Sequence, residues 1–217
     1  MISNRLKSLA KYFDKDDKVI DIGCDHALLD IYLIEEGIIN CMIVSDIHEK
    51  ALKQGIDNIK LHKLDKKIET RLGNGLEVLN SSDDIDTMLI SGMGTSTIVN
   101  IIENDYFKNI KKMVIQSNND HEILRSEIVN KGFKITNEDI LEDSNKTYIN
   151  IVFEKGDSKY NKNEIKYGPF LIKNKMYLDY RIDYLNKILN KIPNNKILIR
   201  HSLKKEIRFL NKLKKNI

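Results

Sequence analysis

The sequence predicts an α/β fold with a mostly parallel sheet, followed by a separate helical hairpin. Three observations predict it. Between residues 19 and 132, five short β-branched apolar runs alternate with amphipathic stretches. Two further strand-like runs follow closely enough to pair as a hairpin, which brings the expected sheet to seven strands. Beyond Gly168 and Pro169 the apolar residues recur in steps of four and three, a coiled-coil-like stripe.

The elements follow in order. Residues 4–13 (NRLKSLAKYF) form a short amphipathic helix, and VIDIG is the first buried strand, leading into the helix ALLDIYLIEE, which Gly37 stops. CMIVSD is the second strand; after it Ala51, Leu52, Ile56, Ile59 and Leu64 lie at helical spacing. KIETRLGNG is a third strand with a short helix around residues 76–79. DTMLISGMG leads into TSTIVNIIEN, and KMVIQSNND into HEILRSEIVNKG. FKITNEDILED and KTYINIVFEK complete the sheet. Residues 1–160 are thus expected as one domain, and residues 161–217 as a polar linker and hairpin. The hairpin stripes are Leu178, Ile182, Leu185, Leu189 and Ile192, then Ile199, Leu203, Ile207 and Leu210, separated by Pro193, Asn194 and Asn195.

Composition narrows the function classes. The chain has 217 residues, 41% hydrophobic and 31% charged, with no apolar run long enough to span a bilayer. Its first residues lack the apolar core of a secretory signal, so the mature chain is expected to start near Met1, in the cytoplasm. Cys24 and Cys41 show no zinc-like spacing and are expected as packed thiols; no metal site is expected. Charge is unevenly placed: from Phe170 onward thirteen Lys/Arg face Asp179, Asp183 and Glu206, so the tail carries +10 of a net +4 and the body is acidic. Such a tail suits a polyanion, and Lys204, Lys205 and Arg208 are its candidate contacts. A monomer is expected, the hairpin being the one device for a dimer.

In parallel sheets ligands bind beyond the carboxyl ends of the strands, so the turns carry the chemistry. The first turn, Gly23-Cys24-Asp25-His26-Ala27, lacks the second and third glycines of a dinucleotide fingerprint, and Asp25 would repel a pyrophosphate. An acidic turn suits a cationic ligand carrying an ammonium and a sulfonium, as S-adenosylmethionine does. Asp21 ends the strand before it. Asp46, followed by Ile47, ends the second strand, where a carboxylate accepts from both ribose hydroxyls. Gly73, Asn74 and Gly75 follow the third strand, placed for the adenine edge. Ser91, Gly92 and Met93 follow the fourth, with small residues for close approach. Each alone reads as a turn or a helix cap. Four at successive strand ends predict a class I, Rossmann-like methyltransferase domain.

The sequence resembles the bacterial tRNA adenine-22 N1-methyltransferases, the TrmK family, through DIGCDHALL, VSDI at 44–47, RLGNGL at 71–76, SGMG at 91–94, VIQSN at 114–118, YGPF at 167–170 and the basic hairpin. Membership implies methyl transfer from S-adenosylmethionine to ring nitrogen 1 of a tRNA adenine in the D-arm region. It also implies a contact to substrate or phosphate by Arg5, which stands in the family's R-L pair, against a simple role in a surface ion pair. Two positions depart from the family pattern, Asn74 where Gly-Asp-Gly is usual and Ser117 where Gln-Pro-Asn is. Nitrogen 1 has its own lone pair, so alignment matters more than a strong base. The base must be unpaired or extruded to present it. Asn118 is the candidate for orienting the adenine edge, against a simple role capping the following helix; Asp25 or His26 would orient the methionyl end or assist proton loss. His48, His62, His121 and His201 read as surface or capping residues. Two other classes fit less of the pattern: a small-molecule methyltransferase with a dimerising tail, and a non-catalytic RNA-binding protein.

Overall fold

The computed structural model describes residues 2–217. Five strands, β1 (Val19–Ile22), β2 (Met42–Asp46), β3 (Ile68–Leu72), β4 (Thr87–Met93) and β5 (Lys112–Ser117), run parallel in the order β3-β2-β1-β4-β5. An antiparallel pair, β6 (Phe133–Asp143) and β7 (Lys146–Lys155), closes one edge, with β7 inside and β6 outside. The seven strands, the parallel run and the β6–β7 hairpin are those the sequence predicts; the strand order and the pairing of β7 with β5 come from the structure. β1, β2 and the first half of β4 are buried on both faces, as continuous β-branched runs require.

Helices cover both faces and divide the core in two. α1 (Asn4–Ala10), α2 (Leu28–Glu35) and α3 (Glu49–Leu61) pack one face through Leu9, Leu29, Leu33, Leu52 and Ile59. α4 (Thr95–Ile101) and α5 (His121–Asn130) pack the other through Ile98, Leu124 and Ile128. α1 stops three residues before the predicted end, because Tyr12 and Phe13 leave the helix to enter the core. Cys24 is buried as expected, but Cys41, at the threshold of β2, is exposed.

The segment expected as a polar linker is ordered instead. Asn161 and Glu164 form a capping box that opens α6 (Lys162–Tyr167). A short 3₁₀ turn, Leu171–Lys173, leads into α7 (Lys175–Lys191). α8 (Ile197–Lys214) returns antiparallel, and the Arg200 guanidinium closes the bend by donating to the Leu189 and Ile192 carbonyls at 2.8 and 2.6 Å. Leu178, Ile182, Leu185 and Leu210 join the same apolar cluster as β4 and β5, so the hairpin base continues the core of the sheet. At the tip the predicted stripe opens, and Ile199 is 52% exposed.

The YGPF run explains this junction. Buried Glu138 on β6 accepts from Arg125 Nε at 2.6 Å, Phe170 N at 3.0 Å and Leu171 N at 3.4 Å. Arg125 in turn donates to the Ile165 and Lys166 carbonyls at 3.2 and 3.3 Å. Gly168 has φ +89°, and a Cβ there would run into the Glu138 carboxylate. Only glycine lets the chain pass. No helix among the described residues is long and apolar enough to cross a membrane.

Candidate active site

The carboxyl ends of β1, β2, β3 and β4 open into one cavity of about 520 Å³. Asp21, Gly23, Cys24, Asp25, Asp46, Ile47, Gly73, Asn74, Gly75, Ser91, Gly92 and Met93, all predicted, line it, as do His26 and Arg5. Asn118, Lys204, Lys205 and Arg208 are not among its lining residues.

The first turn is shaped by three residues at positive φ: Gly23 at +80°, Asp25 at +49° and Ala27 at +55°. For Asp25 and Ala27 this conformation costs roughly 1 kcal/mol or more each, and the surroundings must hold it. They do. Gly23 N and Cys24 N both donate to Ser45 O, at 2.8 and 3.1 Å, and Asn58 Nδ2 on α3 donates to His26 O at 2.9 Å. Gly55 lets α3 come close, since a Cβ there would stand 3.1 Å from Asp25 O. Asn58 was missed in the sequence; its spacing from Gly55 on one helix face was the available signal. A Cβ on Gly23 would meet Met93 Cε, so the turn and the SGMG loop pack directly on each other.

Asp46 is buried and fixed. Its Oδ1 accepts from His48 N at 2.8 Å and contacts His48 Nδ1 at 3.2 Å, while Oδ2 accepts from Asp25 N at 3.4 Å. His48, exposed at the N-cap position of α3 as a surface or capping residue should be, also lines the cavity against Asp46. Asn74 is exposed, and its amide donates to Glu77 at 3.2 Å.

Beneath the turn lies a pair the sequence analysis did not foresee. Asp21 and Asp30 are buried, and Asp21 Oδ1 and both Asp30 oxygens lack any other partner. Burial first, and then the neighbouring Asp30 carboxyl, push Asp21 well above the usual carboxylate range; burial lifts Asp30 to about 7. Two adjacent buried carboxyls cannot both ionise, so they share a proton. Burial, with Asp21, Asp30 and Asp46 nearby, also pushes the Cys24 thiol up, leaving it protonated and unreactive.

On the opposite wall β4 bulges between Ser91 and Met93, with Gly92 at φ +89°. The bulge turns Gly92 O toward Asn118, whose Nδ2 donates to it at 2.6 Å, while Asn118 N donates to Met93 O at 2.9 Å. Asn118 does not cap α5: that position is Asp120, and it makes no side-chain cap bond. Asn119 instead satisfies the first amide of α4, whose N-cap is Gly94, by accepting from Thr95 N at 3.0 Å.

Arg5 reaches over from α1. Its Nη1 donates to Gln116 Oε1 at 2.9 Å and Ser91 Oγ at 3.2 Å, and its guanidinium stands 5.3 Å from the Tyr148 ring centroid. Gln116 Nε2 donates to Asn150 Oδ1 at 2.6 Å, Asn150 Nδ2 to Ser8 Oγ at 2.9 Å, and Ser8 Oγ to Arg5 O at 2.7 Å. This ring of bonds fixes Arg5 at the cavity wall. Asn150 escaped the sequence reading, although a polar residue on the inward side of KTYINIVFEK was its signal.

The remaining histidines lie outside the cavity. The His121 ring is hydrogen-bonded to Ser117 O at 3.1 Å; burial, then Arg125, lowers it to about 4. Of the surface and capping roles expected, it fills one at the start of α5, tied to backbone rather than free on the surface. His62 pairs with Glu35 at 2.7 Å on the surface. Lys204, Lys205 and Arg208 are exposed on one face of α8. No group of three His, Cys, Asp or Glu among the described residues is placed to hold a metal ion.

A parallel sheet in this strand order, with an acidic glycine turn after β1 and a fixed carboxylate at the end of β2, defines a class I methyltransferase. The family described as tRNA (adenine(22)-N(1))-methyltransferase matches residues 19–213, and the chain belongs to it. The Bacillus subtilis tRNA (adenine(22)-N(1))-methyltransferase is 29% identical over 182 residues, covering 80% of this chain and 76% of its own. The structure of M. capricolum TrmK in complex with S-adenosyl-homocysteine superposes with a TM-score of 0.85 at 32% identity, covering 98% and 97% of the two chains. Streptococcus pneumoniae Sp1610 in complex with S-adenosyl-L-methionine gives 0.89 at 31%, covering 99% and 100%.

Proposed function

We propose that the cavity seats S-adenosylmethionine and that the face beside it, made by Arg5 and Gly92 with exposed Asn118 at its rim, receives adenine 22 of tRNA. The observation that carries this is the convergence of four successive strand ends on one acidic cavity. The residues fit the group: the Asp25 carboxylate suits a cationic ligand, Asp21 Oδ1 beneath the turn is a buried oxygen without a hydrogen-bond partner, and Asp46 is held as a ready acceptor for hydroxyls. Bound there, the cofactor supplies an electrophilic methyl group.

The chain's own part is alignment. Asn118 Nδ2 is committed to Gly92 O, which leaves Oδ1 as the acceptor for the exocyclic amine of adenine. That bond turns nitrogen 1 inward. The Arg5 guanidinium closes the wall beside Ser91 and Gly92. Nitrogen 1 uses its own lone pair, so no strong base is needed, and orientation supplies several kcal/mol. Asp25 and His26, 3.5 Å apart at the mouth, are placed to relay the proton released afterwards. Lys204, Lys205 and Arg208 hold tRNA phosphates, and the chain acts as a monomer in the cytoplasm, where its tRNA substrate is found.

The test is methyl transfer from labelled S-adenosylmethionine to unmodified tRNA, with nucleoside analysis and position mapping. We expect 1-methyladenosine at position 22, lost in Asp46→Ala together with cofactor binding. Asn118→Ala is expected to lower kcat about 100-fold while cofactor Kd stays unchanged, the mark of an interaction made with the reacting base. Full activity in Asn118→Ala would refute its role.

A further inference from the structure

Met176, Tyr180 and Tyr184 recur every four residues on α7, on a different face from the packed Leu178, Ile182 and Leu185. They stand 43%, 36% and 45% exposed. The two tyrosine rings are stacked, with centroids 6.5 Å apart and planes 26° apart, and the Arg181 guanidinium lies 5.3 Å from the Tyr184 centroid. A groove of about 720 Å³ separates this stripe from the β6–β7 turn. Glu142 and Asp183 face it, and Lys175 and Lys187 mark its ends along α7.

We propose that Tyr180 and Tyr184 form a stacking subsite for an unpaired nucleobase of the same tRNA, one that presents an amino group. The inference rests on the tRNA reading of the cofactor cavity. Exposed aromatic faces take bases of any sequence by stacking. Carboxylates in the groove repel a phosphate but accept from an exocyclic amine, which selects a base for the interior. The lysines at its ends are left for the flanking phosphates. The groove also adjoins the catalytic cavity through one shared element: the turn that supplies Glu142 and Asn145 to the groove supplies Asp143, which accepts from Arg5 N at 3.0 Å. An RNA lying across the carboxyl face of the sheet meets both.

The experiment compares wild type, Tyr180→Ala/Tyr184→Ala and Tyr180→Phe/Tyr184→Phe in methyl transfer to an unmodified tRNA transcript, with S-adenosylmethionine Kd measured alongside. Stacking predicts a KM for tRNA raised about 10-fold or more in the alanine variant, with kcat and cofactor Kd unchanged, and a KM within about 2-fold of wild type in the phenylalanine variant. Glu142→Gln/Asp183→Asn is expected to raise KM as well; a lowered KM would mean that a phosphate occupies the groove and would overturn the base assignment. An active wild type whose KM is unchanged in the alanine variant overturns the subsite alone and assigns the stripe to a protein partner. An equal loss in the phenylalanine variant overturns stacking. A wild type that methylates no tRNA overturns the reading beneath it.

Discussion

At the scale of single residues, the Asp21–Asp30 pair gives this methyltransferase a measurable pH signature. An unfolded aspartate releases its proton near pH 3.9. In the folded chain burial holds Asp30 protonated up to about 7. The raised group therefore favours the folded state most at low pH, and that contribution is lost as pH rises from about 4 through 7. Asp30→Asn does not titrate and also relieves Asp21. Its stability relative to wild type is expected to improve steadily from pH 4 to pH 7 by on the order of 4 kcal/mol, about 1.4 kcal/mol for each of roughly three pH units, then level off. Urea midpoints across that range check it; an advantage growing toward acid would refute the shared proton. Asp30 illustrates what the sequence hides. A lone carboxylate in ALLDIYLIEE was visible, but only the packing of α2 on β1 shows that it meets Asp21. The twelve residues predicted for the cofactor seat all line the cavity because each stands at or just past the end of a strand, and strand ends are fixed by local periodicity.

At the scale of elements, the junction between sheet and hairpin concentrates the risk. Arg125 and Glu138 are both fully buried as side chains, so removing one leaves the other charge without compensation. Glu138→Ala is expected to destabilise the fold by about 3–5 kcal/mol. Gly168→Ala should cost less than that but more than an ordinary loop change, because it combines a positive φ with a clash on the same carboxylate. Their effects should not add, since both act through the position of Glu138; a double-mutant cycle read from urea midpoints measures the shortfall, and strict additivity would refute the coupling. The run KGDSKYNKNEIKYGPF reads as a polar linker because Lys, Asn and other polar residues dominate it. The capping box at Asn161 and Glu164 was present, but its apolar continuation is only Ile165 and Tyr167, too short for periodicity to register.

At the scale of the whole molecule, charge is divided as the chemistry requires: an acidic body surrounds a cationic cofactor, and a basic hairpin extends from it. The two helices of the hairpin hold 17 and 18 residues, so each arm is about 26 Å long, enough to reach phosphates well away from the methylated base. Deleting the hairpin would not isolate this role, because Leu178, Ile182, Leu185 and Leu210 belong to the core and truncation would open it. Charge reversal on the exposed face of α8 does isolate it. Lys204→Glu/Lys205→Glu/Arg208→Glu leaves that core intact and touches none of the cavity's lining residues. Each phosphate contact releases counterions on binding, so losing these cations should weaken tRNA binding at least 10-fold near physiological salt. It should also flatten the dependence of log K on log salt concentration by about 2–3. S-adenosylmethionine affinity should not change. Binding measured by filter retention at several salt concentrations reads both quantities, and an unchanged slope would move the phosphate contacts from α8 to the face of α7 that carries Tyr180 and Tyr184.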